Sequence, residues 1–276
     1  MIYITAAMYY ELKPFIDKLN LKRDLSVNRF QIFRNEEVTC VVSGVGKLSA
    51  AIATTFLLSR YEINEYDIFV NIGVCGCANE ALDSGDIVLC NKIIDNDNQN
   101  TYFPDMMFKH DFLEGTLETF SKVVTKDYLG ITKGDIVDME GVGAYKAASL
   151  FMHTHQIIIL KIVSDKLADL DLNTKDIELL ISKKVDVINN WIKTIHEVTL
   201  ENDGVLSDED EYYIEKINDN LKLTEYMKNL LLQLSKNYKL YHSNLDLLRE
   251  YSQVICNNKN EGKINFAKLK DRLMEF

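Results

Sequence analysis

The chain has no excess of basic residues. Its 31 lysines and arginines are outnumbered by 42 aspartates and glutamates, for a net charge of -11. That balance argues against nucleic acid as a partner, because phosphate binding needs a basic footprint. It leaves a small neutral ligand open. Cysteine is sparse: Cys40, Cys75, Cys77, Cys90 and Cys256 are odd in number and scattered. This usage fits reduced thiols in the cytoplasm better than a disulfide framework. Cys75-Gly76-Cys77 lacks zinc spacing and an accompanying Cys or His pair, so no metal is expected there. His153-Thr154-His155 reads as a solvated turn before a strand. The N-terminus has no basic region followed by an apolar stretch, so no signal peptide is expected. No apolar run approaches membrane-spanning length. Internal repeats and low-complexity stretches are also missing. What is present is an ordinary soluble composition, 47% apolar and 26% charged over 276 residues. That length can bury a core without a disulfide or metal staple.

Strand and helix signals alternate through the first part. "MIYITAAM" is a continuous apolar run suited to a strand buried on both faces, and "YYELKPFIDKL" follows with helical spacing. "FQIFRNEEVTCVVSG" predicts a hairpin turning at "NEE", leading into an Ala-rich helix, "GVGKLSAAIATTFLLSRY". "DIFVNIGVCG", "SGDIVLCNKII" and "HQIIILKIVSD" are further strands, and "KDIELLISKKVDVINNWIKTIHEV" predicts one long amphipathic helix. The succession points to an α/β domain over 1–199 with a mixed, mostly parallel sheet flanked by helices. From about Leu200 the character changes. "ENDGVLSDEDEYY" is acidic and reads as a linker or helix-capping boundary. Leu223, Tyr226, Met227, Leu230, Leu231 and Leu234 then share a helical face. "LDLLREYSQVI" and "INFAKLKDRLMEF" predict two more helices around a "NNKNEGK" loop, so 200–276 is a small all-helical appendage.

Ligands of open α/β sheets bind beyond the carboxyl ends of the strands. Glu11 follows the first strand, Glu140 lies in "VDMEGVGAYKAA", and Asp165 ends "QIIILKIVSD". Each has a plain alternative. Glu11 and Glu140 suit the first turn of a helix, and Asp165, after Ser164, suits an N-cap. Gly141 and Gly143 are poor helix formers and suggest close packing against a ligand. "SGVGKLS" lacks the early glycine of a triphosphate loop and the third glycine of a dinucleotide fingerprint.

Taken together, "AAMYYEL", "VSGVGKLSAAIATTFLL", "VNIGVCGCANEALDSGDIVL", "VDMEGVGAYKAA" and "ILKIVSDK" resemble, in order, the nucleoside phosphorylase family. The similarity runs over roughly 1–198 and is greatest to the methylthioadenosine/S-adenosylhomocysteine nucleosidase branch. The resemblance implies that family's fold and the release of adenine from a 5'-modified adenosine by hydrolysis. It also implies an assembly of like subunits, a dimer foremost, and no metal or organic cofactor.

By position, Glu11 matches the glutamate that activates water, and Asp165 the acid that protonates purine N7. Ser164 matches the residue that orients that acid. Glu140 matches the clamp on the ribose diol, with Met139 beneath the sugar. Met8 and Val45 match apolar positions near the 5' substituent, and Val74 and Gly76 belong to the glycine block beside the sugar. Phe120 is either a stacking partner for the base or a strand core residue. The resemblance also places "NTYFPDMMFKHDF" as a loop beside the pocket.

Two departures keep alternatives open. Phosphorylases of this fold have Arg and Ser where this chain has Asn71 and Val74, which disfavours phosphate as nucleophile. Most nucleosidases also keep that Ser, so a nucleoside-binding protein without catalysis stands as a rival. Phosphorolysis is the other alternative.

Overall fold

The strand segments "IYITA", "VTCV" and "IIILKIV" are buried on both faces, which only a sheet covered on both sides can satisfy. The computed structural model describes residues 1–128, 130–167, 173–201, 206–242 and 245–274. The chain divides into two units, 1–198 and 199–276.

The first unit begins with β1 (Ile2–Ala6), α1 (Tyr9–Lys18), β2 (Lys22–Arg23), β3 (Gln31–Arg34), β4 (Val38–Val42) and α2 (Lys47–Leu58). It continues through β5 (Ile68–Cys77), β6 (Ile87–Asp95), β7 (Thr101–Tyr102), β8 (Leu113–Thr119), β9 (Ile136–Asp138) and α3 (Gly141–Ala148). β10 (Ile157–Asp165), α4 (Thr174–Ser182) and α5 (Val185–Glu201) complete the series. The sheet is mixed. β1 pairs in parallel with β4 and β5, β10 with β5, and β8 with both β6 and β9. β3–β4 is the expected hairpin, turning at Asn35-Glu36-Glu37. Because β5 pairs with β10 and with β9, and β10 with β6, the strands β5, β10, β6, β8 and β9 form a closed ring.

Alternation along β10 separates two cores. Ile157, Ile159 and Val163 pack with Ala50, Ala53 and Leu57 of α2 and with Val142 and Tyr145 of α3. Ile158, Leu160 and Ile162 pack with Leu12 and Phe15 of α1, Ile177 and Ile181 of α4, and Ile188 and Ile192 of α5.

The second unit contains α6 (Asp208–Asn220), α7 (Glu225–His242), α8 (Asp246–Tyr251) and α9 (Lys259–Leu273) around a separate core that includes Ile217, Leu221, Leu231, Leu248 and Leu269. Among the described residues this unit is entirely helical.

Three expectations need correction, and a fourth is narrowed. The long helix is two: Lys184 N–H bonds to the Ile181 carbonyl and the Ser182 hydroxyl to that of Leu179, tightening the end of α4 before α5 starts. "NNKNEGK" is not a loop, because the Asn258 side chain accepts from the Asn260 and Glu261 amides and starts α9 within it. In "ENDGVLSDEDEYY", the capping reading holds at Ser207, whose side chain accepts from Asp210 N–H. Acidic residues Asp208 to Glu211 then fill the first turn of α6; residues 202–205 lie outside the described residues. Finally, a Cβ on Gly143 would fall 2.0 Å from the Lys47 carbonyl oxygen, so this glycine admits α3 against the start of α2. Its role is helix packing and not room for a ligand.

Candidate active site

The carboxyl ends of β1, β4, β5, β8, β9 and β10 converge on a cavity of about 260 Å³. Ala7 and Met8 follow β1, Val45 follows β4, Val74 to Gly76 end β5, and Ser164 and Asp165 end β10. The β8–β9 connection contributes Lys122 to Val124, and the end of β9 contributes Val137 to Glu140. Residues far apart in sequence therefore share one wall because their strands end on the same edge.

Glu11 is both a first-turn helix residue and part of the cavity wall. It lies in the first turn of α1, where Oε2 accepts the Met8 N–H at 2.8 Å, and Oε1 reaches across to accept the Val74 N–H at 2.9 Å. The residue is 2% exposed. Burial raises its pKa, opposed by these two amides, the Lys161 charge and the Ala7 amide. A Cβ on Gly73 would stand 2.7 Å from Oε1, so the glycine in "NIGVCG" leaves the space that this carboxylate occupies.

Glu140 is the N-cap of α3, but its side chain does not cap that helix. Oε1 accepts the Gly46 N–H at 2.8 Å, tying it to the start of α2. The carboxyl is pushed up to about 7, by burial first and then by the Asp138 charge, against the Lys161 charge and the Gly46 amide. Met139 and Met8 line the same cavity.

Asp165 does not cap a helix, since α4 is capped by Asn173. Its Oδ1 accepts the Leu167 N–H at 2.9 Å. Its Oδ2 lies 2.6 Å from the Ser164 hydroxyl, which is also 3.0 Å from the Cys75 carbonyl. The hydroxyl can donate to an ionised Asp165, or accept from a protonated one while donating to Cys75.

The expected residues Val74, Gly76, Val45 and Met8 all reach the wall. Phe120 does not: it is 2% exposed, packs with Val124, Val137 and Leu167, and meets Tyr128 edge-on at 5.9 Å. Its strand-core reading is the one that applies, and Val123 and Val124 line the cavity instead. Asn71 is also off the wall, with its amide donating to the Thr5 hydroxyl at 3.1 Å.

The "NTYFPDMMFKHDF" segment begins in β7, paired with the end of β6, but from Pro104 onward it runs to the other end of β10. Pro104 to Phe108 pack against Ile157 to Ile159, and Trp191 Nε1–H donates to the Lys109 carbonyl at 3.0 Å. β10 runs nine residues from there to Asp165, roughly 25 Å at strand rise.

One constellation escaped the sequence reading. Lys161 is 1% exposed in the middle of β10, and its ammonium meets Asp138 Oδ2 at 2.8 Å. Asp138 also accepts from the Thr119 hydroxyl at 2.6 Å and the Gly141 N–H at 2.7 Å. Burial alone would lower the Lys161 pKa, but Asp138, Glu140 and Glu11 together raise it, so the ammonium stays charged.

Residues 1–126 match the family model described as Phosphorylase superfamily. The chain is similar to 5'-methylthioadenosine/S-adenosylhomocysteine nucleosidases of Staphylococcus aureus (strain bovine RF122 / ET3-1), at 30% identity, and Staphylococcus haemolyticus (strain JCSC1435), at 28%, each over 148 residues. Each alignment covers 50% of this chain, which spans 64% of those relatives' length. Among solved structures, the corresponding nucleosidase of Helicobacter pylori, with butyl-thio-DADMe-Immucillin-A, superposes with a TM-score of 0.60 at 14% identity, over 70% of this chain and 97% of that one. Futalosine hydrolase of Helicobacter pylori strain 26695 has the same fold, with a TM-score of 0.53 at 15% identity over 71% and 97%. The sequence blocks' resemblance to the nucleoside phosphorylase family holds, and the fold is nucleoside phosphorylase-like.

Proposed function

We propose that the chain hydrolyses the N-glycosidic bond of a purine nucleoside, a 5'-modified adenosine, and releases adenine. The observation that carries this reading is the meeting of Glu11, Glu140 and the Asp165–Ser164 pair around one cavity. Cleavage builds positive charge on the sugar and negative charge on the base. Glu140 accepts hydrogen bonds from the ribose diol, and its charge favours the cationic sugar. Glu11, fixed by two amides, takes a proton from the water that attacks the anomeric carbon. Asp165 protonates N7 and is left as a carboxylate that the Leu167 amide and Ser164 hydroxyl stabilise. Met8 and Val45 form the apolar side that receives the 5' substituent. Similarity to methylthioadenosine/S-adenosylhomocysteine nucleosidases supports this substrate class.

Water is the nucleophile in this reading. Val74 offers only its backbone, already bonded to Glu11, and Asn71 is turned away to Thr5. Phosphate would lose the charge-assisted hydrogen bonds it needs. Adenine release from methylthioadenosine, S-adenosylhomocysteine and 5'-deoxyadenosine in phosphate-free buffer tests this. Release only after phosphate is added would establish phosphorolysis. Binding of these nucleosides by calorimetry, with no turnover in either buffer, would establish a binding protein.

The remaining readings follow from the same base. The protein acts in the cytoplasm, supported by five cysteines that are all free and buried. It works as a homodimer, supported by the exposed apolar residues Val45, on the cavity wall, and Leu48 and Ile52, on α2. Residues 200–276 serve interaction or packing and not chemistry, since every proposed catalytic group lies in the first unit.

A further inference from the structure

The proposed reaction needs Glu140 held in place, and the bond that ties it across to α2 comes from a loosely built donor. The Gly46 N–H, 2.8 Å from Glu140 Oε1, belongs to the N-cap of α2, which makes no side-chain capping bond. Gly44 and Gly46 both have positive φ, +82° and +102°. The turn into α2 therefore rests on residues that give up the most backbone freedom when they are ordered.

Lys47, the next residue, supplies a restraint. Its carbonyl oxygen packs against Gly143 at the start of α3. Its side chain, 15% exposed, brings the ammonium to Asp95 Oδ1 and Asp97 Oδ2, each at 2.6 Å. These carboxylates are themselves fixed. The Asp97 N–H bonds to Asp95 Oδ1 at 3.3 Å, and the Ser121 hydroxyl donates to Asp97 Oδ2 at 2.6 Å. Between them, the Asn96 N–H bonds to the Thr119 carbonyl at 3.1 Å, and its side-chain amide donates to Glu118 Oε1 at 2.8 Å. The turn after β6 is thus fastened to the end of β8, and Ser121 directly precedes the Lys122 to Val124 stretch of the cavity wall. A single exposed ion pair would restrain little. Here one largely buried ammonium joins the start of α2 to two carboxylates on a turn that is already tied down.

We propose that Lys47 is a positioning residue: by clamping Asp95 and Asp97 it fixes the start of α2, so that the Gly46 amide holds Glu140 where the ribose diol binds. The purpose rests on the nucleosidase reading, whereas the clamp itself is a property of the free protein.

The Gly46 amide is the first readout, followed by NMR of the full chain labelled with 15N. Lys47→Met should move its proton upfield and speed its exchange with solvent at least about tenfold. Lys47→Arg, which can still bridge two carboxylates, should largely restore both values. Lys146→Met removes a different cation bordering the same hollow and should leave the Gly46 amide unmoved. The double variant Lys47→Met with Asp95→Asn leaves no buried carboxylate unpaired, guarding against misfolding of the single variant, and should show the same loss.

The second readout compares methylthioadenosine with its 3'-deoxy analogue, which gives Glu140 less to hold. Lys47→Met should lower kcat/KM for methylthioadenosine about 10- to 100-fold and for the analogue by clearly less. A Gly46 amide that stays put in folded Lys47→Met, or equal losses on the two substrates, would overturn the proposal. Absence of turnover in the unaltered protein would instead sink the nucleosidase reading, while the Gly46 amide would still decide the clamp.

Discussion

Glu140→Gln should make the protein more stable at pH 8 while disabling the site. Glu140 has an ordinary pKa of 4.5 and is pushed up to about 7 in the folded chain, by burial and by Asp138. A raised carboxylate means that the folded state holds its proton more tightly than the unfolded state does. The stability cost is near zero below pH 4.5, grows between 4.5 and 7, and is constant above 7. From the two pKa values, the full cost is about 3 kcal/mol at pH 8 and under about 1 kcal/mol at pH 5. Glutamine keeps an oxygen to accept the Gly46 N–H at the Oε1 position and carries no charge.

The variant should therefore gain about 2–3 kcal/mol relative to the natural chain on going from pH 5 to pH 8. Any fixed cost of burying the amide cancels in that comparison. Urea unfolding followed by tryptophan fluorescence suits the test, because the chain has one tryptophan. Trp191 lies on α5 in the first unit, packed edge-on against Phe112 at 5.0 Å. An equal difference in stability at the two pH values would refute the argument that Glu140 is buried as an energetically costly charge.

Other perturbations follow from the same geometry. Gly73→Ala would place a methyl group 2.7 Å from Glu11 Oε1, so kcat should fall about 100-fold with nucleoside affinity kept; unchanged kcat would show that the carboxylate position is not critical. Asp165→Asn should reduce turnover about 100- to 10,000-fold while calorimetry shows binding retained; a proportional loss of binding would count against an acid role. A chain ending at Glu201 should still release adenine, and a folded but inactive truncation would place the helical unit within the function.

How much of this was legible depended on what each residue needed from distant parts of the chain. β10 and β1 could be read because strands buried on both faces are apolar throughout, and the structure places their residues in two separate cores. Glu11, Glu140 and Asp165 could be read because acids just beyond such strands have few places to go but the shared edge. The division of α4 from α5 could not, since both halves bury the same apolar stripe and only a tightened last turn separates them. Phe120 was ambiguous because a core position just past a strand's end and a cavity wall look alike in sequence; only the packing with Val124 and Leu167 decides it.

Lys161 is the instructive omission. "IIILKIVSD" puts one ammonium at an inward position of an apolar strand, and a buried cation persists only with an anionic partner. The partner stood in view as Asp138 in "DIVDME", but nothing local shows that β9 ends beside the middle of β10. That proximity comes from the closed ring of strands through β5. The same closure that brings Glu140 and Asp165 to one cavity thus also joins Lys161 to Asp138 as a buried ion pair.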